Sequence, residues 1–259
     1  ALSSVLGEPL EVTPVFLVNS DEEIGSHDST STIVRFAEGA DRCFVLEPSL
    51  GAEGNLKTGR KGVGRFTIRV VGQAAHAGLD PTKGASAILE LSHIIQELFA
   101  LNDLDKGITV NVGTIDGGLS PNVVAPESTA VVDVRVPTKA DAARIEERIH
   151  SLEATTPGTT VTIEGAIGRP PMEFTPGNEK LWLLARRGAE ELGFQVGQAF
   201  AGGGSDGNTT SQYAPTLDGL GAVGGGAHAP SEHLLLDRMV ERSALLARLL
   251  SFPPLGEAT

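Results

Sequence analysis

Cysteine is almost missing from this sequence: Cys43 is the single one in 259 residues. One thiol cannot close an internal disulfide or build a sulfur-ligated zinc site, so any metal must be held by histidine and carboxylate. Positive charge is also short. Against 33 Asp and Glu stand 20 Lys and Arg, a formal net charge of −13, and a surface of that sign cannot neutralise phosphates, which excludes a nucleic-acid partner. No apolar run approaches the roughly 20 residues that a membrane-spanning helix requires. Repeats and low-complexity tracts are lacking, and so are a phosphate-binding Gly-Lys-Ser/Thr loop and a dinucleotide fingerprint with its downstream acid. The chain starts Ala1-Leu2-Ser3-Ser4-Val5-Leu6 with neither an initiator methionine nor the charged–apolar–small order of a signal peptide. Residues 1–8 read as the tail of an amphipathic helix. The expectation is a fragment or processed piece of a longer, cytoplasmic protein.

What is there is ordinary in bulk, with 40% hydrophobic and 20% charged residues, the profile of a globular protein able to bury a core. The informative stretch is Asp21-Glu22-Glu23, directly after the apolar run Val15-Phe16-Leu17-Val18. Taken alone, such acids are ordinarily a solvated turn. At the end of a buried strand, however, adjacent acids repel and lose hydration, and a divalent cation on one of them relieves both, leaving the other to handle a proton.

Periodicity predicts a strand over Thr13–Asn19, a helix over Ser29–Glu38 stopped by Gly39, and a short buried strand over Cys43–Leu46 ending at Glu47-Pro48, together a βαβ unit with a parallel sheet. Acids at the carboxyl ends of such strands lie where open α/β sheets place ligands. From Arg60 the pattern changes. Strands are predicted at Gly64–Val71, at Ile108–Ile115, through Val131, Val132 and Val134, and at Val161–Ile167. Helices are predicted over Gly84–Ala100 and Lys139–Leu152. The order β-α-β-β-α-β is ferredoxin-like. After Arg169-Pro170-Pro171 come a helix over Asn178–Leu192, a strand over Gln195–Phe200, a strand over Leu220–Val223 and a closing helix over Asp237–Ser251. The expected fold is therefore α/β, a catalytic domain of residues 1–58 and 171–259 interrupted by a ferredoxin-like module of residues 59–170.

Glu23, Glu47 and His228 each follow an apolar strand and precede a bend, which makes them candidate metal ligands. An oxygen and nitrogen set suits catalytic zinc, with cobalt or manganese as substitutes. Glu22 is the candidate general base, and its alternative is an exposed neighbour of Glu23. His76, among small residues after a strand, could donate to a developing oxyanion, or be a plain loop histidine. Asn122, Arg135 and Arg169 are polar groups near strand ends, and an arginine suits a two-point grip on a carboxylate. The run Gly202-Gly203-Gly204-Ser205-Asp206-Gly207 suits a carboxylate better than a phosphate. His27, His93, His150 and His233 read as solvated or structural.

These pieces together resemble a family. Asp21-Glu22-Glu23-x-Gly25-Ser26, Glu47-Pro48, Ala75-His76-Ala77-Gly78, Ser120-Pro121-Asn122-Val123-Val124-Ala125-Pro126, Asp133-Val134-Arg135, Gly168-Arg169-Pro170, Gly203-Gly204-Ser205-Asp206 and Gly224-x-x-x-His228 are similar, in order, to dinuclear zinc exopeptidases of the glutamate carboxypeptidase, aminoacylase and acetylornithine deacetylase type. The resemblance implies Glu22 as base, Glu23 with His228 on one zinc and Glu47 on the second. It implies that His76 and Asn122 serve the active site of a dimer partner, and that Arg135 and Arg169, with the Gly203-Gly204 turn, bind the carboxylate end of a small peptide or N-acyl amino acid. Two departures stand out. The family's upstream His-x-Asp and bridging Asp have no counterpart, since no histidine precedes His27 and Asp21 is the first aspartate, so the chain is expected to be the C-terminal portion and inactive alone. Where glutamate-releasing members tend to carry a lysine, this chain has Asn55, which argues against a glutamate preference. A second class of reading is a non-catalytic dimerisation or binding module that keeps the fold without a metal centre.

Overall fold

Side chains at the helix starts set several of the boundaries. Ser86, Thr138 and Thr175 each accept a hydrogen bond from a backbone N–H three residues on, at Leu89, Asp141 and Asn178, satisfying donors that the first helical turn leaves open. The computed structural model describes residues 10–256, so the helix expected over residues 1–8 lies outside the described residues. In chain order the elements are α1 (Thr30–Ala37), β1 (Cys43–Phe44), β2 (Leu56–Arg60), β3 (Gly62–Val71), α2 (Ala87–Phe99), β4 (Thr109–Gly117), β5 (Glu127–Val136), α3 (Lys139–His150), β6 (Thr160–Arg169), α4 (Pro176–Glu191), β7 (Gln198–Ala201), α5 (Asp206–Thr210), β8 (Thr216–Leu217), β9 (Gly224–Gly225), β10 (His233–Leu234) and α6 (Leu236–Ser251). They fall into two compact units. One comprises the described residues up to Arg60 together with those from Met172 onward, and the other is Lys61–Pro171.

In Lys61–Pro171 the period-2 pattern of β3 turns Phe66, Ile68 and Val70 to one face. Their partners across the antiparallel ladder are Val132, Ala130 and Ser128 of β5. The sheet order is β4-β5-β3-β6. Leu91, Ile94 and Leu98 of α2 and Ile145 and Ile149 of α3 close over that face in one apolar cluster, each fully buried large side chain contributing about 1.5–3 kcal/mol. Ile88 and Leu89 of α2 are exposed, because the buried stripe runs through Ala87, Leu91, Ile94 and Leu98. Glu90 is buried and accepts the backbone N–H groups of Thr155 and Thr156, which ties α2 to the segment ahead of β6. Both edge strands carry a register shift, between Val112 and Thr114 where β4 meets β5 and between Val63 and Arg65 where β3 meets β6.

The other unit is built from short pairs. β1 runs parallel to β8 and β2 parallel to β7, while β9 and β10 form an antiparallel hairpin. Leu181, Trp182, Ala185 and Ala189 of α4 pack with Leu245 and Leu249 of α6 over Leu56, Leu217 and Leu220. The strand expected over Thr13–Asn19 does not form. That stretch pairs with no strand among the described residues, and Phe16 and Val18 are 72% and 87% exposed. A strand needs a neighbour for its backbone groups and cover for its faces, and the described residues offer it neither. The βαβ unit through α1 is therefore not closed, and the parallel pairing lies instead in β1–β8 and β2–β7. The strand expected over Leu220–Val223 is replaced by β8 just before it. Leu220 and Gly221 still donate to the carbonyls of Val45 and Glu47, so the chain lies alongside residues 45–47 without a continuous ladder.

Candidate active site

Every residue of β2 is buried, including Lys57 and Arg60. Arg60 is 3% exposed and Asp218, just after β8, is fully buried. The guanidinium grips this carboxylate at two points, Nε to Oδ2 at 2.6 Å and Nη2 to Oδ1 at 3.2 Å, and its Nη1 donates to the carbonyls of Gly203 at 2.9 Å and Gly204 at 3.3 Å. Asp218 also accepts Ser205 Oγ at 2.6 Å and the Gly219 N–H. A buried ion pair costs desolvation, and two-point geometry with further donors on the acid is what offsets it. The glycine turn is thereby fixed with two carbonyls facing Arg60. Sequence reading missed Arg60 and Asp218 as a pair. The available signal was two cations inside a short strand, with an acid straight after the apolar Leu217.

Glu22, Glu23 and Ile24 form a tight turn in which Ile24 and Ser26 donate to the carbonyl of Asp21 and Gly25 to that of Glu22. Asp21 Oδ2 accepts the N–H groups of Asp28 and Ser29 at 2.9 and 3.1 Å. A side-chain bond from Ser29, with those backbone donors, holds the Asp21 carboxyl below its usual range against the smaller opposing effect of burial. Glu47 is half-buried, and burial first, then Asp218 and Glu22, push its carboxyl above the usual range while Arg60 and Lys57 pull the other way. The structure thus brings Glu22 and Glu47 into one electrostatic neighbourhood with Asp218. It does not add Glu23 or His228 to them. Glu23 is exposed, and so is His228, between the two strands of the β9–β10 hairpin with a left-handed backbone, φ 60°. Among the described residues no three His, Cys, Asp or Glu side chains converge as a metal site requires. The donors among the described residues do not by themselves fit a two-metal centre.

In Lys61–Pro171, His76 and Asn122 are brought together, since Ala77 donates to the Asn122 carbonyl at 2.9 Å and His76 bridges to Val123. His76 is exposed, and its Nδ1 accepts the N–H groups of Gly78 and Leu79 at 3.1 and 3.2 Å. In the neutral ring that leaves the proton on Nε2, directed away from the turn and able to donate. Arg135 and Arg169 form a second group. Both stand opposite Val63, on the strands to either side of β3. Asp133 holds the Arg135 guanidinium at two points, 2.9 and 3.0 Å.

Residues 58–162 match the peptidase dimerisation domain of the M20 type. The chain is 28% identical over 249 residues to carboxypeptidase G2 of Pseudomonas sp. (strain RS-16), covering 92% of this chain and 59% of that protein. It is 25% identical to succinyl-diaminopimelate desuccinylase of Roseobacter denitrificans, over 97% of this chain and 69% of that one. Aminopeptidase PepT of Bacillus cereus superposes with a TM-score of 0.70 at 22% identity, over 86% of this chain and 62% of that chain, a likeness of α/β fold. The dimerisation-domain match, with the likeness to carboxypeptidase G2 and the desuccinylases, supports a place for this chain among the M20 peptidases. It spans 59% of the length of carboxypeptidase G2. No helix among the described residues is long and apolar enough to cross a membrane.

Proposed function

We propose that the complete protein is a metal-dependent hydrolase that cleaves an amide bond next to a free carboxylate, in a small peptide or an N-acyl amino acid. It works as a homodimer through residues 59–170, read as a ferredoxin-like module inserted between catalytic segments 1–58 and 171–259. What carries the reading is the spacing of polar residues along β3. Arg135 and Arg169 stand level with Val63, whereas His76 and Asn122 lie beyond Val71, the far end of the strand. Eight strand residues span about 26 Å, so one small substrate cannot touch both groups of the same copy, and a pair of copies gives each group a site to serve. The names of the relatives, carboxypeptidase, desuccinylase and aminopeptidase, agree on hydrolysis of an amide.

Glu22 is the proton carrier, taking a proton from water and returning it to the leaving nitrogen. His76 Nε2–H donates to the oxyanion. Arg135 and Arg169 are assigned to the substrate carboxylate, and Gly203 and Gly204 to substrate binding. Glu23, Glu47 and His228 are assigned as zinc ligands of the complete protein, and the 259-residue chain alone is inactive. A non-catalytic binding module is the second reading, favoured by the scatter of Glu23, Glu47 and His228 described above. Metal content per chain and hydrolysis of an N-acyl amino-acid panel separate them. In the complete hydrolase, Glu22→Gln should keep metal but lower turnover by about a hundredfold, and Glu23→Gln should lower metal occupancy. Reversed phenotypes sink the assignment, and two tightly bound zinc ions or robust hydrolysis by this chain alone sinks the claim of inactivity.

A further inference from the structure

One carboxylate clamps the acidic turn from both sides. Asp206 Oδ2 accepts Asn19 Nδ2 at 2.9 Å and Oδ1 accepts Ser26 Oγ at 2.5 Å, and Asn19 and Ser26 bracket the turn that carries Glu22 and Glu23. Ser26 is buried and sits at φ 53°, a left-handed backbone that a non-glycine residue adopts when its surroundings enforce it. Asp206 is itself held. It is the first residue of α5, which opens with a reciprocal cap between Ser205 and Asn208, Ser205 N donating to Asn208 Oδ1 at 2.9 Å and the Ser205 side chain accepting the Asn208 N–H, while Gly207 N also donates to Ser205 Oγ at 3.0 Å. Ser205 Oγ in turn donates to Asp218, the partner of Arg60. A continuous line of bonds therefore runs from the buried ion pair through Ser205 and Asp206 to the turn.

We infer that Asp206 is a positioning residue that sets the orientation of Glu22, an inference that rests on the reading of Glu22 as the general base. The clamp itself involves no metal and can be read on the 259-residue chain. Hydrogen exchange at the amides of Ile24, Gly25 and Ser26, which close the turn, should speed up by about tenfold in Asp206→Ala, because bonds to a charged acceptor are lost. Asp206→Asn, which keeps one acceptor oxygen, should show a smaller rise, and the amides of β3 and β5 should not change. Unchanged exchange in the turn overturns the inference. Should Asp206→Ala fail to fold, Ser26→Ala removes one arm of the clamp while leaving α5 alone, and faster exchange at Ile24 and Gly25 is again expected, with unchanged exchange again overturning the inference. In the complete hydrolase, Asp206→Asn should lower kcat by about tenfold to a hundredfold with KM unmoved, the cost of a misplaced group. Adding it to Glu22→Gln should cost nothing more, since a clamp acts only through the residue it holds. Multiplying losses overturn the inference. If Glu22→Gln alone leaves turnover intact, the general-base reading falls, and the exchange data still decide whether Asp206 holds the turn.

Discussion

The unit Lys61–Pro171 buries an apolar layer in which Glu90 is the one ionisable side chain, whereas the other unit buries Lys57, Arg60, Asp218 and Arg242 beside its leucines. The sheets differ in the same sense. One is a continuous four-stranded ladder and the other a set of two-stranded pairs. Apolar contacts are non-directional and add up, so the first unit draws stability from area alone. A buried ion pair adds little net stability but fixes where each group points. The second unit accordingly holds geometry, with the Arg60–Asp218 pair setting the glycine turn and Asp206 setting the acidic one.

The contrast can be broken by experiment. Phe66→Ala removes the largest fully buried side chain of the apolar layer and should cost about 4 kcal/mol. Denaturant unfolding followed by hydrogen exchange should localise the loss to Lys61–Pro171, and a loss spread evenly over both units would erase the distinction. Arg60→Ala should cost somewhat less, about 3 kcal/mol, because Asp218 keeps its bonds from Ser205 and Gly219. Replacing both partners, Arg60→Met with Asp218→Leu, should recover part of that loss but not all of it, since the carbonyls of Gly203 and Gly204 and the Ser205 hydroxyl lose their partner too. Full recovery would mean that the pair has no positional role. The smallest effect is expected at the surface. Bonds from Arg248 and then Arg187 lower the Glu191 carboxyl from 4.5 to about 2, linking α4 to α6. Because the folded value is depressed, the stabilisation is complete above pH 4.5 and is lost as pH falls towards about 2. The stability gap between the parent and Glu191→Gln should close over that window and narrow in high salt. A gap independent of pH would assign the effect to packing.

Much of the apolar unit was legible because its signals are local. The alternation at Phe66, Ile68 and Val70 needs two neighbours to be seen, and each of the three is fully buried. The motifs around Glu22, Glu47 and His76 were legible as a set and in order. The Arg60–Asp218 pair was not, because its partners lie 158 residues apart, and the cations of β2 and the acid after Leu217 are local signals that do not say which pairs with which. Asp206 stood in a quoted motif, yet its role comes from Asn19 and Ser26, which lie 187 and 180 residues away. The failed strand at Thr13–Asn19 has the opposite cause. Its apolar pattern is strong, but a strand is a property of a pair, and pattern alone cannot supply the second member.

The irregular edges of the four-stranded sheet have a consequence for aggregation. An edge strand with a straight row of free N–H and C=O groups is a template for endless pairing with further chains. Here β4 steps out of register between Val112 and Thr114, and β6 does so against β3 next to Gly165, where φ is 121° and a Cβ would lie 2.1 Å from the Arg65 carbonyl oxygen. Such breaks bend and twist a strand and interrupt its ladder. Neither edge offers a flat row along its full length. The sheet is built to stop growing.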